Sequence, residues 1–326
     1  MLHPDALQAL RNHADVCVLG SAVVDVIADT GLLPQRGSDI ELHQQGVNAG
    51  GCALNVAITL HRLEIAAVNA LPLGQGVWAS IIRQKLQEYG IQSICETDKG
   101  DNGWCLALVE PDGERTFLSV TGVEDKWDEA MLAAIPLKEN GWLYLSGYQL
   151  TSRCADRLIH WLENLPVKQR LLIDFGPRLA HLDQQHWKRV MTLKPLITVN
   201  RQEAALLWQD RLDQNMPFDV KALMDLWSGR FSSPLVVRLD SEGAGFVQRE
   251  NRGWVDALKT EMVDSVGAGD SHAGGLLAGL AAGWSLCDSV ALGNAVASFV
   301  VSHRGGDCAP ARAVLREHWL QRLTPQ

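Results

Sequence analysis

Apolar and polar positions follow two periods along this chain. Continuous apolar runs at residues 16–20, 67–73, 142–146, 171–175, 196–199 and 235–239, each bounded by polar or glycine-containing segments, predict buried strands. Between them lie stretches such as Trp78, Ile81, Ile82, Leu86 and Tyr89, a spacing that puts one apolar stripe on a helix. Strand–helix alternation of this kind predicts an α/β fold, a mostly parallel sheet with helices on both faces. Two segments break the rhythm. Residues 104–109 and 115–120 flank Pro111-Asp112-Gly113 and read as a hairpin, while residues 33–47 are irregular, with a short strand expected near 39–42. A small sheet projecting from an α/β body is either a lid over a cleft or a surface ornament. The pattern leaves both open.

Composition narrows the function. The chain has 326 residues, with Lys plus Arg at 29 against Asp plus Glu at 38, a net charge of −9. A net-acidic chain without a basic run is poorly suited to gripping a nucleic-acid backbone, and it lacks the basic amphipathic stretch of a membrane-surface protein. With 47% hydrophobic and 21% charged residues, disordered and fibrous classes are excluded. The 7 cysteines include no C-x-x-C pair, so no disulfide framework or zinc site is suggested. Free thiols, charges where a signal peptide needs an apolar core, and a longest apolar stretch (274–284) well short of the ~20 residues of a membrane span predict a cytoplasmic protein. The expected partner is a small molecule.

Three glycine-rich segments are candidates for phosphate chemistry. Gly74-Gln-Gly76 follows a strand, opens a helix and precedes Glu96 by about twenty residues, which meets a relaxed dinucleotide fingerprint but also describes an ordinary turn. Gly50-Gly51 lets backbone approach a ligand, and Asn55, one turn on, offers an acceptor and donors to hydroxyls. Asp264-Ser-Val-Gly267-Ala268-Gly269-Asp270 runs into an apolar helix. Its small residues expose N–H groups at a helix N-terminus, an anion site. Asp270 within that ring is either a helix cap or a carboxylate that accepts a hydroxyl proton beside a transferring phosphoryl group.

These blocks resemble the ribokinase (PfkB) family of ATP-dependent carbohydrate kinases. Gly50-Gly51 with Asn55, and Asp264-Ser-Val-Gly-Ala-Gly-Asp270, carry the likeness from opposite ends of the chain. Gly20-Ser-Ala-Val-Val-Asp25, Asp174-Phe-Gly-Pro-Arg178, Asn200-Arg-Gln-Glu203, Val236-Val-Arg238-Leu-Asp-Ser-Glu-Gly243 and Asn294 match further landmarks in order. The resemblance implies one ribokinase-like domain over residues 1–326, a three-layer α/β sandwich with a β-sheet lid from about 33–47 and 102–120, and an ATP-dependent sugar or sugar-acid kinase. It further implies a base at Asp270 and an anion hole at Gly267, Ala268 and Gly269. Substrate contacts would fall to Asp25, at the end of the first strand, and to Gly50, Gly51, Asn55, Trp104 and Arg178. Asn200, Glu203, Arg238, Gly243 and Asn294 would serve the nucleotide. Mg²⁺ would sit near Glu203 through water, and Asp264 and Val266 are a candidate site for K⁺. A homodimer through the lid is also implied. Val23 and Cys52 stand where ribose-using members often carry Asn and Lys, which argues against ribose. The alternatives are a nucleoside kinase, with Trp104 and Tyr148 stacking on a base, and a sugar-binding regulator without catalysis.

Overall fold

In the computed structural model, which describes residues 2–112 and 114–323, the chain opens with β1 (Val16–Leu19), β2 (Val23–Asp29), β3 (His43–Gly50), α1 (Cys52–Arg62), β4 (Val68–Ala70) and α2 (Val77–Tyr89). It continues through β5 (Trp104–Val109), β6 (Arg115–Val120), α3 (Glu129–Ala133), β7 (Gly141–Ser146), α4 (Gly147–Leu150), α5 (Ala155–Glu163), β8 (Gln169–Asp174) and α6 (Gln184–Thr192). The last third holds β9 (Leu196–Val199), α7 (Arg201–Leu206), α8 (Val220–Arg230), β10 (Leu235–Arg238), β11 (Ala244–Gln248), β12 (Asn251–Val255), α9 (Ala268–Ala281), α10 (Leu286–Val301) and α11 (Arg312–Leu323).

The large sheet has the order β12-β11-β10-β9-β8-β7-β1-β4. It is parallel from β10 to β4, with β11 and β12 antiparallel at one edge. Alternate strand residues enter two separate cores, as the period of 2 requires. Val16, Val18, Tyr144, Leu172 and Val236 join α1, α2, α9, α10 and α11 on one face. Cys17, Leu19, Leu143, Ile173 and Val237 join α5, α6, α7 and α8 on the other. That is the expected three-layer sandwich.

A separate four-stranded sheet, β3-β2-β5-β6, stands apart. Its hairpin β5–β6 forms as the pattern predicts, pairing Trp104 with Val120 and Val109 with Arg115. Gly113 of the expected turn lies outside the described residues. Three expectations need correction. Residues 39–42 are not a strand; the strand is His43–Gly50, antiparallel to β2 with Asn48 opposite Asp25. Polar and small side chains along it hid the strand from a reading based on apolar alternation. Asp25 belongs to β2 in the small sheet rather than to the end of β1. The run 67–73 yields a strand only at Val68–Ala70, with an isolated bridge from Leu73 to Glu96.

Candidate active site

Parallel strands end at one edge of the large sheet, and ligands of open α/β sheets bind outside that edge. Asp174 closes β8, Asn200 follows β9 and Arg238 closes β10, while Tyr148 lies on α4 immediately after β7. The N-terminus of α9 faces this group. Gly267 is its N-cap, with φ 72° and no side-chain cap. A side chain there would be strained by the backbone and would run into the Gly306 main chain. The first N–H groups of α9 have no intrahelical acceptor; that of Ala268 turns back to the Ser265 carbonyl at 3.3 Å.

Asp270 is the third residue of α9 and does not cap it. Its carboxylate instead accepts a hydrogen bond from Asn55 Nδ2 at 2.8 Å, a contact between residues 215 positions apart. The cap reading therefore falls. Asn55 and Cys52 lie three apart on α1 and so share a face. Asn55 Oδ1 is buried without a hydrogen-bond partner, leaving an acceptor beside the carboxylate. Burial pushes the Asp270 carboxyl up to about 6, with Asp174 adding to the rise while Asn55, Cys52 and Arg238 restrain it. The Asp25 carboxyl is likewise pushed up to about 6 by burial and by the negative charge of Asp270. Two carboxyls, one from the small sheet and one from α9, are thus both raised toward 6 in one cleft. Gly50 leaves room for Asp25, whose carboxylate a side chain at 50 would meet, and Gly51 is the N-cap of α1.

A buried ion pair underlies this cleft. Arg238 donates from both terminal nitrogens to Asp174, at 2.7 and 3.2 Å, and also to the Thr198 hydroxyl at 3.2 Å and the Gly269 carbonyl at 3.4 Å. Burial works against the guanidinium charge, yet Asp174 holds its pKa above the ordinary value. Glu203 lies 3.9 Å from Arg238, and burial beside Asp174 raises its carboxyl above the usual range. Glu203 also accepts the Asn200 N–H at 3.0 Å while Asn200 Oδ1 accepts the Glu203 N–H at 2.9 Å. That reciprocal pair is a capping box for α7, so the N-x-x-E spacing has a structural use here.

Other expected site residues are placed as follows. Gly243, φ 105°, turns the chain between β10 and β11, and Asp240 before it adopts φ 54°, a left-handed position occupied by a non-glycine residue. The Asn294 amide is engaged at both ends: its Oδ1 accepts from His272 Nε2 at 3.1 Å, and its Nδ2 donates to the Val255 and Asp256 carbonyls at 2.9 and 3.2 Å. His272 is buried, its imidazole pushed down to about 3 by burial and by Arg238, in keeping with a structural role. Asp264 accepts from the N–H groups of Val266 and Gly305, both at 3.1 Å, and so fastens the chain before α9 to the loop around Gly305. Arg178 lies over the Tyr148 ring at 4.6 Å. Trp104 is not brought to the cleft. It alternates with Cys105, the register partner of Asp25, and stacks on Trp78 with ring centroids 5.2 Å apart.

The dinucleotide fingerprint also has an explanation. Asp101 accepts from the N–H groups of Trp78 at 3.1 Å and Ala79 at 2.8 Å, occupying the N-terminus of α2 where a pyrophosphate would bind. Gly74 and Gly76 make room for residues 100 and 101. Sequence reasoning passed over Thr198 and the pairing of Asp174 with Arg238; a lone polar residue at the end of each apolar run was the only signal.

A mostly parallel sheet with a separate small sheet, and a glycine-rich helix start at its ligand-binding edge, suit a ligand that carries phosphate. The profile of the pfkB family carbohydrate kinases matches residues 13–312, so the chain belongs to that family. It is 52% identical over 309 residues to the uncharacterised sugar kinase YegV of Escherichia coli (strain K12), covering 95% of each chain. In fold it is similar to ribokinase from Thermotoga maritima, with a TM-score of 0.80 at 16% identity over 94% of this chain and 99% of that one. It is also similar to fructokinase from Vibrio cholerae O395, solved with fructose, ADP and calcium, at a TM-score of 0.74 and 19% identity over 95% and 99%. Among the described residues no helix is long and apolar enough to cross a membrane.

Proposed function

We propose that this sugar kinase transfers the γ-phosphoryl group of ATP to a hydroxyl of a small sugar or sugar acid, with Asp270 as general base. The observation that carries the reading is the Asp270–Asn55 contact at 2.8 Å at the head of α9. A carboxyl near 6 is mostly ionised at neutral pH and still basic enough to take a proton as the hydroxyl attacks. Asp25, with Asn55 Oδ1, would hold the acceptor's hydroxyls, and the N–H groups of Gly267, Ala268 and Gly269 would receive the transferring phosphoryl.

An uncapped helix start suits a phosphate. Among the described residues no group of three or more His, Cys, Asp or Glu converges to hold a metal. We therefore place Mg²⁺ with ATP, near Glu203 and through water, where it would neutralise phosphate charge. Arg178, held over the Tyr148 ring at 4.6 Å, would offer a guanidinium to the carboxylate of a sugar acid. The nucleoside reading loses its stacking groups, since Trp104 is stacked on Trp78 and Tyr148 carries Arg178.

The small sheet would act as a lid that excludes water. Its exposed Val47, Phe117, Leu118 and Val120 support pairing with a second copy, which the molar mass measured by light scattering tests. K⁺ at Asp264 and Val266 is tested by replacing KCl with tetramethylammonium chloride. The central test is ADP release from MgATP over aldoses, ketoses, sugar acids and nucleosides. Turnover with sugars or sugar acids is expected, and turnover with nucleosides alone would overturn the reading in favour of a nucleoside kinase.

A further inference from the structure

Helix α2 reaches the wall of the anion hole although none of its residues lies in the cleft. Lys85 Nζ pairs with Asp307 Oδ2 at 2.6 Å, both side chains being largely shielded, at 21% and 28% exposure, and it lies 3.9 Å from Glu88. The Tyr89 hydroxyl donates to the Asp307 carbonyl at 3.1 Å. Lys85, and Arg62 from the end of α1, also lie over the Tyr89 ring at 5.7 and 4.9 Å. Asp307 is thus held by both its side chain and its backbone.

The loop so held touches the transfer site directly. Gly306 packs against Gly267 so closely that a side chain at 267 would strike its main chain, and a Cβ at 306 would meet Val266 at 3.3 Å and Asn55 Nδ2 at 3.4 Å. Gly305 donates to Asp264 at 3.1 Å, and Cys308 donates to the Gly305 carbonyl at 3.0 Å. At its other end α2 is anchored beside the small sheet, by Asp101 on its first N–H groups and by Trp78 stacked on Trp104. One helix therefore joins the small sheet to the loop that buttresses Gly267.

We propose that Lys85 and Asp307 are positioning residues, a brace that fixes the loop at 305–307 and with it the N–H groups at the start of α9. This rests on the reading of Gly267, Ala268 and Gly269 as the phosphoryl site. A left-handed N-cap without a side-chain cap holds its geometry only as well as its neighbours do, and transfer is sensitive to displacement.

The test compares wild type with Lys85→Met and Asp307→Asn in the full chain. Amide hydrogen exchange over 264–270 is followed together with ADP release from MgATP, using a mixture of aldoses, ketoses and sugar acids and, separately, water as acceptor. Expected are faster exchange confined to 264–270 and 303–308, a melting point close to wild type, and kcat lower by about tenfold at little-changed KM, within the ~10²-fold that a 1 Å misplacement can cost. Unchanged exchange, loosening without loss of kcat, or a global loss of protection with a fallen melting point overturns the brace. Should Asp270→Asn retain turnover, the functional reading fails instead, while the exchange result still decides whether the brace exists.

Discussion

Replacing Asp270 by Asn tests the mechanism most directly. Asn keeps the size of the side chain and an oxygen that can accept the 2.8 Å hydrogen bond from Asn55, but it cannot take a proton. With its carboxyl near 6, wild type is mostly ionised at pH 7. A general base contributes ~10²–10⁴-fold, so kcat should fall by that factor, which is about 2.7–5.4 kcal/mol at 1.36 kcal/mol per decade. Stability should move the other way. A carboxyl that binds its proton more tightly in the fold stabilises it fully below its unfolded value of 3.8, and that contribution is lost as pH rises through about 6. Above that window wild type carries a buried charge that the variant lacks. A shift of about two pH units bounds the gain at roughly 3 kcal/mol. Turnover and melting of both proteins at pH 8 therefore form the assay, with lower kcat and a higher melting point expected together. Near wild-type kcat on an identified acceptor would refute the base. A lower melting point would refute the argument that the buried charge is costly.

Further outcomes follow from the same geometry. Asp25→Ala should raise KM for the acceptor far more than KM for ATP, by ~1.5–3 kcal/mol for one lost charged hydrogen bond; an equal rise in both would make Asp25 structural. Arg238→Met strands Asp174 and Glu203 as buried acids, and breaking a buried pair costs about 3–5 kcal/mol, so chemical denaturation should show a loss of that size. Nucleotide-free protein passed through a desalting column should carry no stoichiometric Mg²⁺ by elemental analysis, and metal retained there would contradict its arrival with ATP. Wild-type kcat/KM should fall as pH drops below about 6, where Asp25 and Asp270 take up protons.

The strands at β7, β8, β9 and β10 were legible because each is buried on both faces, so its residues are apolar in succession. The small sheet was legible only in part. Its hairpin has a turn sequence and apolar content, whereas β3 reads His43-Gln-Gln-Gly-Val-Asn-Ala-Gly50 and is mostly exposed, so it carries no hydrophobic signal. Trp104 looked like a stacking group by its type, and alternation along β5 sent it to the other face. Asn200 and Glu203 were legible as a motif, but only their mutual hydrogen bonds reveal a capping box.

What the sequence determined by itself was local and repetitive: the strand–helix rhythm, the glycines that open α9, and the block at 264–270 that marks the family. Such features depend on steric and burial preferences of neighbours in the chain, which one-dimensional order preserves. Tertiary structure alone decided which distant charges meet. Asn55 reaches Asp270 across 215 positions and Arg238 reaches Asp174 across 64, because the crossovers bring α1, β8, β10 and α9 to one sheet edge. The raised carboxyls of Asp25 and Asp270 exist only there, since burial and a neighbouring charge, unlike residue type, are properties of the folded chain.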